Sequence, residues 1–150
     1  RKATPASLAR KVGLVFQNPD HQFFTTSVER EVSLALEEMG FPEEEVRRRV
    51  SWALSYLALE KYRDRSPFTL SGGEKKRLAI ASVLVWDPVL LAVDEPTIGQ
   101  DERQKGFLLS LFKRLVGEGR TVIVATHDTS LVARYGHRAI ALHKGRVAGG

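Results

Sequence analysis

The sequence predicts an α/β fold built on a largely parallel sheet, and three observations carry that expectation. Short apolar runs of strand length alternate with stretches that place apolar residues every three to four positions. Two of the runs, Val89-Leu90-Leu91-Ala92-Val93 and Thr121-Val122-Ile123-Val124-Ala125, are nearly continuous in apolar residues, as strands buried on both faces require. Polar residues with chemical capacity follow the strand-type runs directly: Gln17, the pair Asp94-Glu95, and His127. In an open parallel sheet, ligands sit beyond the carboxyl ends of the strands, so these residues are expected at one shared edge.

Composition sets outer limits. The chain has 150 residues, 43% hydrophobic and 27% charged, which suits one globular domain with a real core. It has no cysteine, which excludes disulfides and thiolate metal sites. No apolar run approaches the ~20 residues a membrane-spanning helix needs. The chain opens at Arg1 without a signal-peptide pattern, so it is expected to start inside a longer gene product. A formal net charge of +5 invites a nucleic-acid partner. However, Arg47-Arg48-Arg49 and Lys75-Lys76-Arg77 both fall on predicted helices, and no aromatic residues interleave with them, so both clusters read as solvated helix faces.

Taken in order, residues 1–11 are basic and polar, with no clear assignment. Val12-Gly13-Leu14-Val15-Phe16 reads as a strand ending in the turn Gln17-Asn18-Pro19-Asp20, with Phe23 and Phe24 in the following loop. Thr26 and Glu29 have capping-box spacing, and Val28, Val32, Leu36 and Met39 then mark an amphipathic helix ending at Gly40. Pro42 and Glu43 to Glu45 open a second helix, with Val46, Val50, Ala53, Leu54 and Leu57 on one stripe and Trp52 and Tyr56 toward another side. Residues 27–60 therefore read as a small helical insert after a strand. A helix over about 73–86 follows, stopped by Asp87-Pro88. The run Val89–Val93 comes next, then a helix carrying Leu108, Leu111, Phe112 and Leu115, and then the run Thr121–Ala125. A short helix near Ser130–Arg134, a strand over Arg138–His143 and a hairpin turn at Lys144-Gly145 complete the chain.

The chemistry centres on Leu70-Ser71-Gly72-Gly73-Glu74-Lys75-Lys76-Arg77-Leu78-Ala79-Ile80-Ala81. Ser71 is a good N-cap, the paired glycines let a bulky anion approach the backbone, and amides at a helix start attract negative charge. Asp94 can hold Mg²⁺, mainly through water. Glu95, one residue on in an extended backbone, points away from Asp94 and can polarise a water for attack on a phosphoryl group. His127 can donate to a γ-phosphate, and Gln17 can reach Mg²⁺ or the attacking water. His21, His137 and His143 lack metal-ligand spacing and read as structural or exposed.

Over residues 12–150 the chain resembles the nucleotide-binding subunit of an ATP-binding cassette (ABC) transporter. Gln17 matches that family's Q-loop, Leu70-Ser71-Gly72-Gly73-Glu74 its signature motif, Leu90 to Glu95 its Walker B strand, Gly99-Gln100-Asp101 its D-loop, and His127 its H-loop. Val15 to Asp20 through Phe23, with Ser-Gly-Gly-Glu-Lys-Lys-Arg, resembles the energy-coupling factor subgroup, whose importers take up vitamins or transition-metal ions. Two departures stand out. Gln100 occupies a place usually held by leucine, and no Gly-x-x-x-x-Gly-Lys-Ser/Thr stretch occurs anywhere in the chain.

The resemblance implies a P-loop NTPase-like core lacking its N-terminal part, with residues 12–26 and 71–150 in the core and residues 27–70 as the helical subdomain with its adjoining linker. It implies ATP and Mg²⁺ as cofactors. Catalytic roles fall to Glu95, His127 and Gln17, metal binding to Asp94 and Gln17, and contacts to the bound nucleotide to Ser71, Gly72, Gly73, Glu74 and Asp101. It implies a second ATPase subunit paired head to tail, a transmembrane partner with Phe23, Phe24, Trp52 and Tyr56 as candidate walls of the contact groove, no nucleic-acid partner, and a place on the cytoplasmic face of the membrane. The residues alone are expected to bind ATP poorly and to hydrolyse none at a useful rate. Two alternatives stay open at this point: a soluble ABC ATPase acting on nucleic acid, and an inactive fragment.

Overall fold

The computed structural model describes Leu8 and residues 10–149; most of the unassigned stretch 1–11 lies outside them. Strand β1 (Val12–Val15), strand β2 (Leu90–Asp94) and strand β3 (Thr121–Ala125) form one parallel sheet in that spatial order. Val15 pairs in register with Val93, and Asp94 with Ala125, so the three carboxyl ends lie at one edge. Between β1 and β2 come helix α1 (Val28–Glu38), helix α2 (Glu43–Tyr56) and helix α3 (Gly72–Leu84). Helix α4 (Glu102–Gly117) joins β2 to β3. Helix α5 (Thr129–Tyr135) then leads to an exposed antiparallel hairpin, β4 (Ala141–His143) and β5 (Arg146–Gly149). The last strand assignment therefore shrinks: of Arg138–His143, only three residues pair. Among the described residues, no helix is long and apolar enough to cross a membrane.

The apolar stripes read from the sequence do form the core. Val28, Val32 and Leu36 of α1 and Val46, Val50, Ala53 and Leu54 of α2 are buried together, with Leu57 just beyond. Leu108, Leu111, Phe112 and Leu115 bury the inner face of α4. Helix α3 is the centre of the packing: Leu78 to Ala81, Val83 and Leu84 are all buried, so it is enclosed on more than one side. Gly13 permits its closest approach to the sheet, since a Cβ there would lie 2.2 Å from Val83 Cγ1.

The expectation of strands buried on both faces does not hold: β2 buries one face, and no residue of β3 is fully buried. Gly13, Val15, Leu91 and Val93 are buried beneath the helices, whereas Leu14 is 48% and Ile123 52% exposed on the opposite face. Continuous apolar runs report what a strand can bury, and not whether the described residues cover it.

The cap of α1 also differs from the reading. Ser27, not Thr26, is the N-cap, accepting from the Arg30 amide at 3.2 Å, and Glu29 instead pairs with Arg63. The acid that fixes this turn is Glu31. It is 4% exposed and accepts from the Phe24 amide at 3.0 Å, the Thr25 amide at 2.9 Å and Thr25 Oγ1 at 2.8 Å. A buried carboxylate is tolerated here because backbone donors surround it.

Two stability predictions follow from this packing. Gly13→Ala should destabilise the fold by about 1–3 kcal/mol through overpacking against Val83, read as a lower denaturant midpoint at unchanged slope. Glu31→Ala, which takes the acceptor from the Phe24 and Thr25 amides while Thr25 Oγ1 keeps Ser27 O, should cost about 2 kcal/mol in the same measurement.

Candidate active site

The parallel register brings Gln17, Asp94, Glu95 and His127 to the common edge, as the strand-end pattern predicted. Asp94 closes β2, half-buried, and its side chain makes no hydrogen bond among the described residues. Glu95 departs from the expected extended backbone. Its amide still donates to Ala125 O at 2.9 Å, but its φ of +44° puts it in the left-handed region. That turn carries its carboxylate to the end of β3, where Oε2 accepts from Thr126 Oγ1 at 3.1 Å and Oε1 from the His127 amide at 3.0 Å. His127 Nδ1 lies 2.6 Å from the same Oε1. A non-glycine residue in this region costs about 1–3 kcal/mol, held here by three donors from the neighbouring strand end.

The electrostatics follow the geometry. Burial works to raise the Glu95 pKa, but hydrogen bonds from His127 and Thr126 outweigh it and hold the carboxyl below its ordinary range. The reciprocal hydrogen bond from Glu95 raises the His127 pKa, with the carboxylate charge adding to it. With Nδ1 engaged by Glu95, Nε2 is the ring nitrogen left free on a side chain that is 77% exposed.

Gln17 is exposed, and its side chain makes no hydrogen bond among the described residues. Its backbone carbonyl accepts from Lys76 Nζ at 2.7 Å. The loop that carries it is organised by Gln22, whose side chain accepts from the Phe16 amide at 3.0 Å and donates to Leu14 O at 3.3 Å. Sequence reasoning missed Gln22 because a glutamine in a loop carries no spacing signal.

It also misread Lys75-Lys76-Arg77. Far from forming a solvated face, the three cations of α3 reach three different partners. Lys75 pairs with Asp20 at 2.8 Å, Lys76 holds Gln17 O, and Arg77 donates to Leu57 O at 3.2 Å. Lys76 is 2% exposed; burial lowers its pKa, opposed by the charges of Asp94 and Glu95. By contrast Arg47 and Arg48 pair with acids on their own helix, as expected for a solvated face, while Arg49 departs from it, half-buried and donating to Val85 O at 3.3 Å.

The second part of the site lies at the start of α3. Ser71 and Glu74 form a reciprocal capping box: Glu74 Oε2 accepts from the Ser71 amide at 2.8 Å, and Ser71 Oγ accepts from the Glu74 amide at 3.4 Å. Tyr62 Oη donates to the other Glu74 oxygen. The two glycines are not equivalent. An added Cβ at Gly72 meets open space, whereas at Gly73 it would overlap the Gln104 side chain. Close approach by an anion is therefore open at Gly72, while Gly73 makes room for α4. Asp101 caps α4 by accepting from the Gln104 amide at 2.8 Å. A cavity of about 450 Å³ joins Ser71, Gly73 and Glu74 to Gln100 and Asp101. Within the described residues, Gln100 Oε1 is buried without a hydrogen-bond partner.

The aromatic residues separate. Phe23 is buried edge-on against Phe68, with ring centroids 6.3 Å apart, while its neighbour Phe24 is 78% exposed. Trp52 stacks on Tyr56 at 5.0 Å, and Tyr56 Oη donates to Glu118 at 3.1 Å, which ties α2 to the end of α4. His21, His137 and His143 are exposed, and no group of three or more His, Cys, Asp or Glu among the described residues could hold a metal. Mg²⁺ takes one or two carboxylates and keeps much of its water. Asp94 and Gln17, whose side chains are unclaimed among the described residues, fit that demand.

The Glu95–His127 pair can be read by NMR. In the folded chain the His127 ring should titrate above the ordinary value of about 6.5, and Glu95→Gln should return it toward that value. The sign follows from both shifts. The ion pair is lost as pH rises through the His127 midpoint and, at the acid end, as pH falls through the depressed Glu95 midpoint.

Comparison with known proteins agrees with this layout. A Pyrococcus furiosus protein named for ABC-transporter ATP binding is 45% identical over 147 residues, covering 98% of this chain and 56% of the relative. The energy-coupling factor transporter ATP-binding protein EcfA of Methanothermobacter thermautotrophicus is 38% identical over 140 residues, covering 93% of this chain and 45% of that protein. The solved structure of CbiO1 from Clostridium perfringens, described as part of the ABC transporter complex CbiONQ, superposes with a TM-score of 0.84 at 41% identity, covering 92% of this chain and 55% of that one. The chain thus spans about half the length of these relatives. The ABC transporter family matches residues 1–98, and with five motifs in order on this parallel-sheet fold, the chain belongs to that family.

Proposed function

We propose that the protein containing this chain is an ATP-hydrolysing subunit that powers an energy-coupling-factor-type importer of a vitamin or transition-metal ion. The observation that carries the reading is the strand-end edge, where a positioned carboxylate, Glu95, sits beside an unclaimed one, Asp94. The likeness to EcfA and to CbiO1 supports the importer subgroup.

In this reading Glu95, kept ionised and oriented by Thr126 and His127, accepts a proton from the attacking water. His127 presents Nε2 toward the transferred phosphate. Asp94 and Gln17 would hold Mg²⁺, which supplies charge neutralisation for the phosphates when bound. The free backbone at Gly72 and the capped start of α3 receive the γ-phosphate of an ATP held by a second subunit, paired head to tail, with Asp101 at the same junction. Residues 27–70 act as the helical subdomain, and residues 12–26 and 71–150 belong to the nucleotide-handling core. Phe24, exposed on a loop clamped by Glu31, faces the transmembrane partner, which places the assembly at the cytoplasmic face of the membrane. The engagement of Lys75, Lys76 and Arg77 within the fold argues against their serving a nucleic acid.

In the full-length protein, Glu95→Gln should lower kcat by about 10²–10⁴-fold while ATP binding persists. Turnover equal to wild type would remove Glu95 from the role of base. Co-purification with a transmembrane subunit, set against salt-sensitive binding to DNA or RNA, tests the partner class.

A further inference from the structure

We infer that Lys76 is a positioning residue for the reaction, a tether that makes the Gln17 loop follow helix α3. The inference rests on the proposed ATPase reading and adds a residue to which no role has been given.

Three observations carry it. Lys76 stands on α3 five residues after the Ser71 cap, so one rigid helix holds both the signature turn and this ammonium. The side chain is 2% exposed, and its Nζ donates to the Gln17 carbonyl at 2.7 Å across 59 residues of sequence. A buried ammonium held by a backbone carbonyl is costly to leave unpaired, so the contact resists separation of the two elements. One residue earlier, Lys75 pairs with Asp20 at the far side of the same turn, so the segment from Gln17 to Asp20 is held to α3 at two points.

Pro19–Gln22 also packs against the helix, but among the described residues the loop's other hydrogen bonds do not reach it. Gln22 binds it back to β1 and Asn18 closes it internally through the Asp20 amide at 3.1 Å, but neither reaches α3. Lys75–Asp20 is partly exposed, and such pairs are worth little. Lys76 is therefore the main hydrogen-bonded tie that fixes where the Gln17 backbone sits relative to α3. Displacement of α3 moves Gln17 with it, and Gln17 reaches the Asp94–Glu95 edge only while α3 is seated.

The test uses the full-length protein and two variants, Lys76→Met, which keeps the volume and removes the donor, and Lys76→Arg, which keeps charge and donors. In Lys76→Met, hydrogen exchange over Phe16–Gln22 should accelerate by about tenfold while amides of Leu78–Leu84 stay protected. Its kcat should fall about tenfold or more at unchanged KM for ATP. Lys76→Arg should keep both properties near wild type. Unchanged loop exchange or unchanged kcat in Lys76→Met overturns the proposal. If Lys76→Met loses protection throughout α3, the decision passes to Lys76→Arg, and a folded Lys76→Arg protein with a fast-exchanging loop overturns it. Glu95→Gln in the same assay separates the two levels. Wild-type turnover there sinks the ATPase reading itself, whereas an inactive Glu95→Gln beside a fully active Lys76→Met sinks only the tether.

Discussion

The structure depends on the burial of α3. A helix with apolar residues on nearly every side must be enclosed, yet its first turn and its three consecutive cations must still find polar partners. The solution distributes those partners over the molecule. Glu74 and Ser71 satisfy the helix start, Arg77 takes carbonyls left over at the end of α2, and Lys75 and Lys76 reach the loop after β1. Each bond that makes α3 fit to be buried also attaches another element to it, so sheet, helical segment and loop are registered against one rod.

In the proposed reading, this arrangement lets a site in two parts act together. The signature turn with Asp101 lines one cavity, and Gln17, Asp94, Glu95 and His127 line the strand-end edge. Along α3, Ser71 and Lys76 are about 7–8 Å apart at the helical rise. A rigid helix transmits a displacement over that span without loss, whereas a loop would absorb it.

Much of this was legible in the sequence, and the failures share a cause. The apolar stripes of α1, α2 and α4, the Ser71 cap and the strand-end residues depend on local spacing, and they appear as read. What stayed hidden depends on distant partners. Thr26 and Ser27 are equally good caps by residue type, and the Glu31 clamp on Phe24 and Thr25 chose between them. Lys75-Lys76-Arg77 looked like Arg47-Arg48-Arg49, but the first cluster lies on a helix enclosed on nearly every side, whereas Arg47 and Arg48 lie on the solvent face of α2 and only Arg49 reaches another element, at Val85 O. The exposure of Leu14 and Ile123 has no sequence signal, since the same residues would serve a covered face equally well.

Glu95 illustrates a conflict between folding and chemistry. The left-handed backbone that delivers its carboxylate to Thr126 and His127 is one that glycine adopts without strain and asparagine tolerates better than glutamate does. Random drift under selection for stability alone would move this position toward those residues. In the proposed reading, glutamate stands here for its proton-accepting group, against the preference of the chain. Ala58, Asp87 and Lys144 adopt the same backbone region, so what sets Glu95 apart is the end its strain serves, a carboxylate delivered across the sheet to Thr126 and His127.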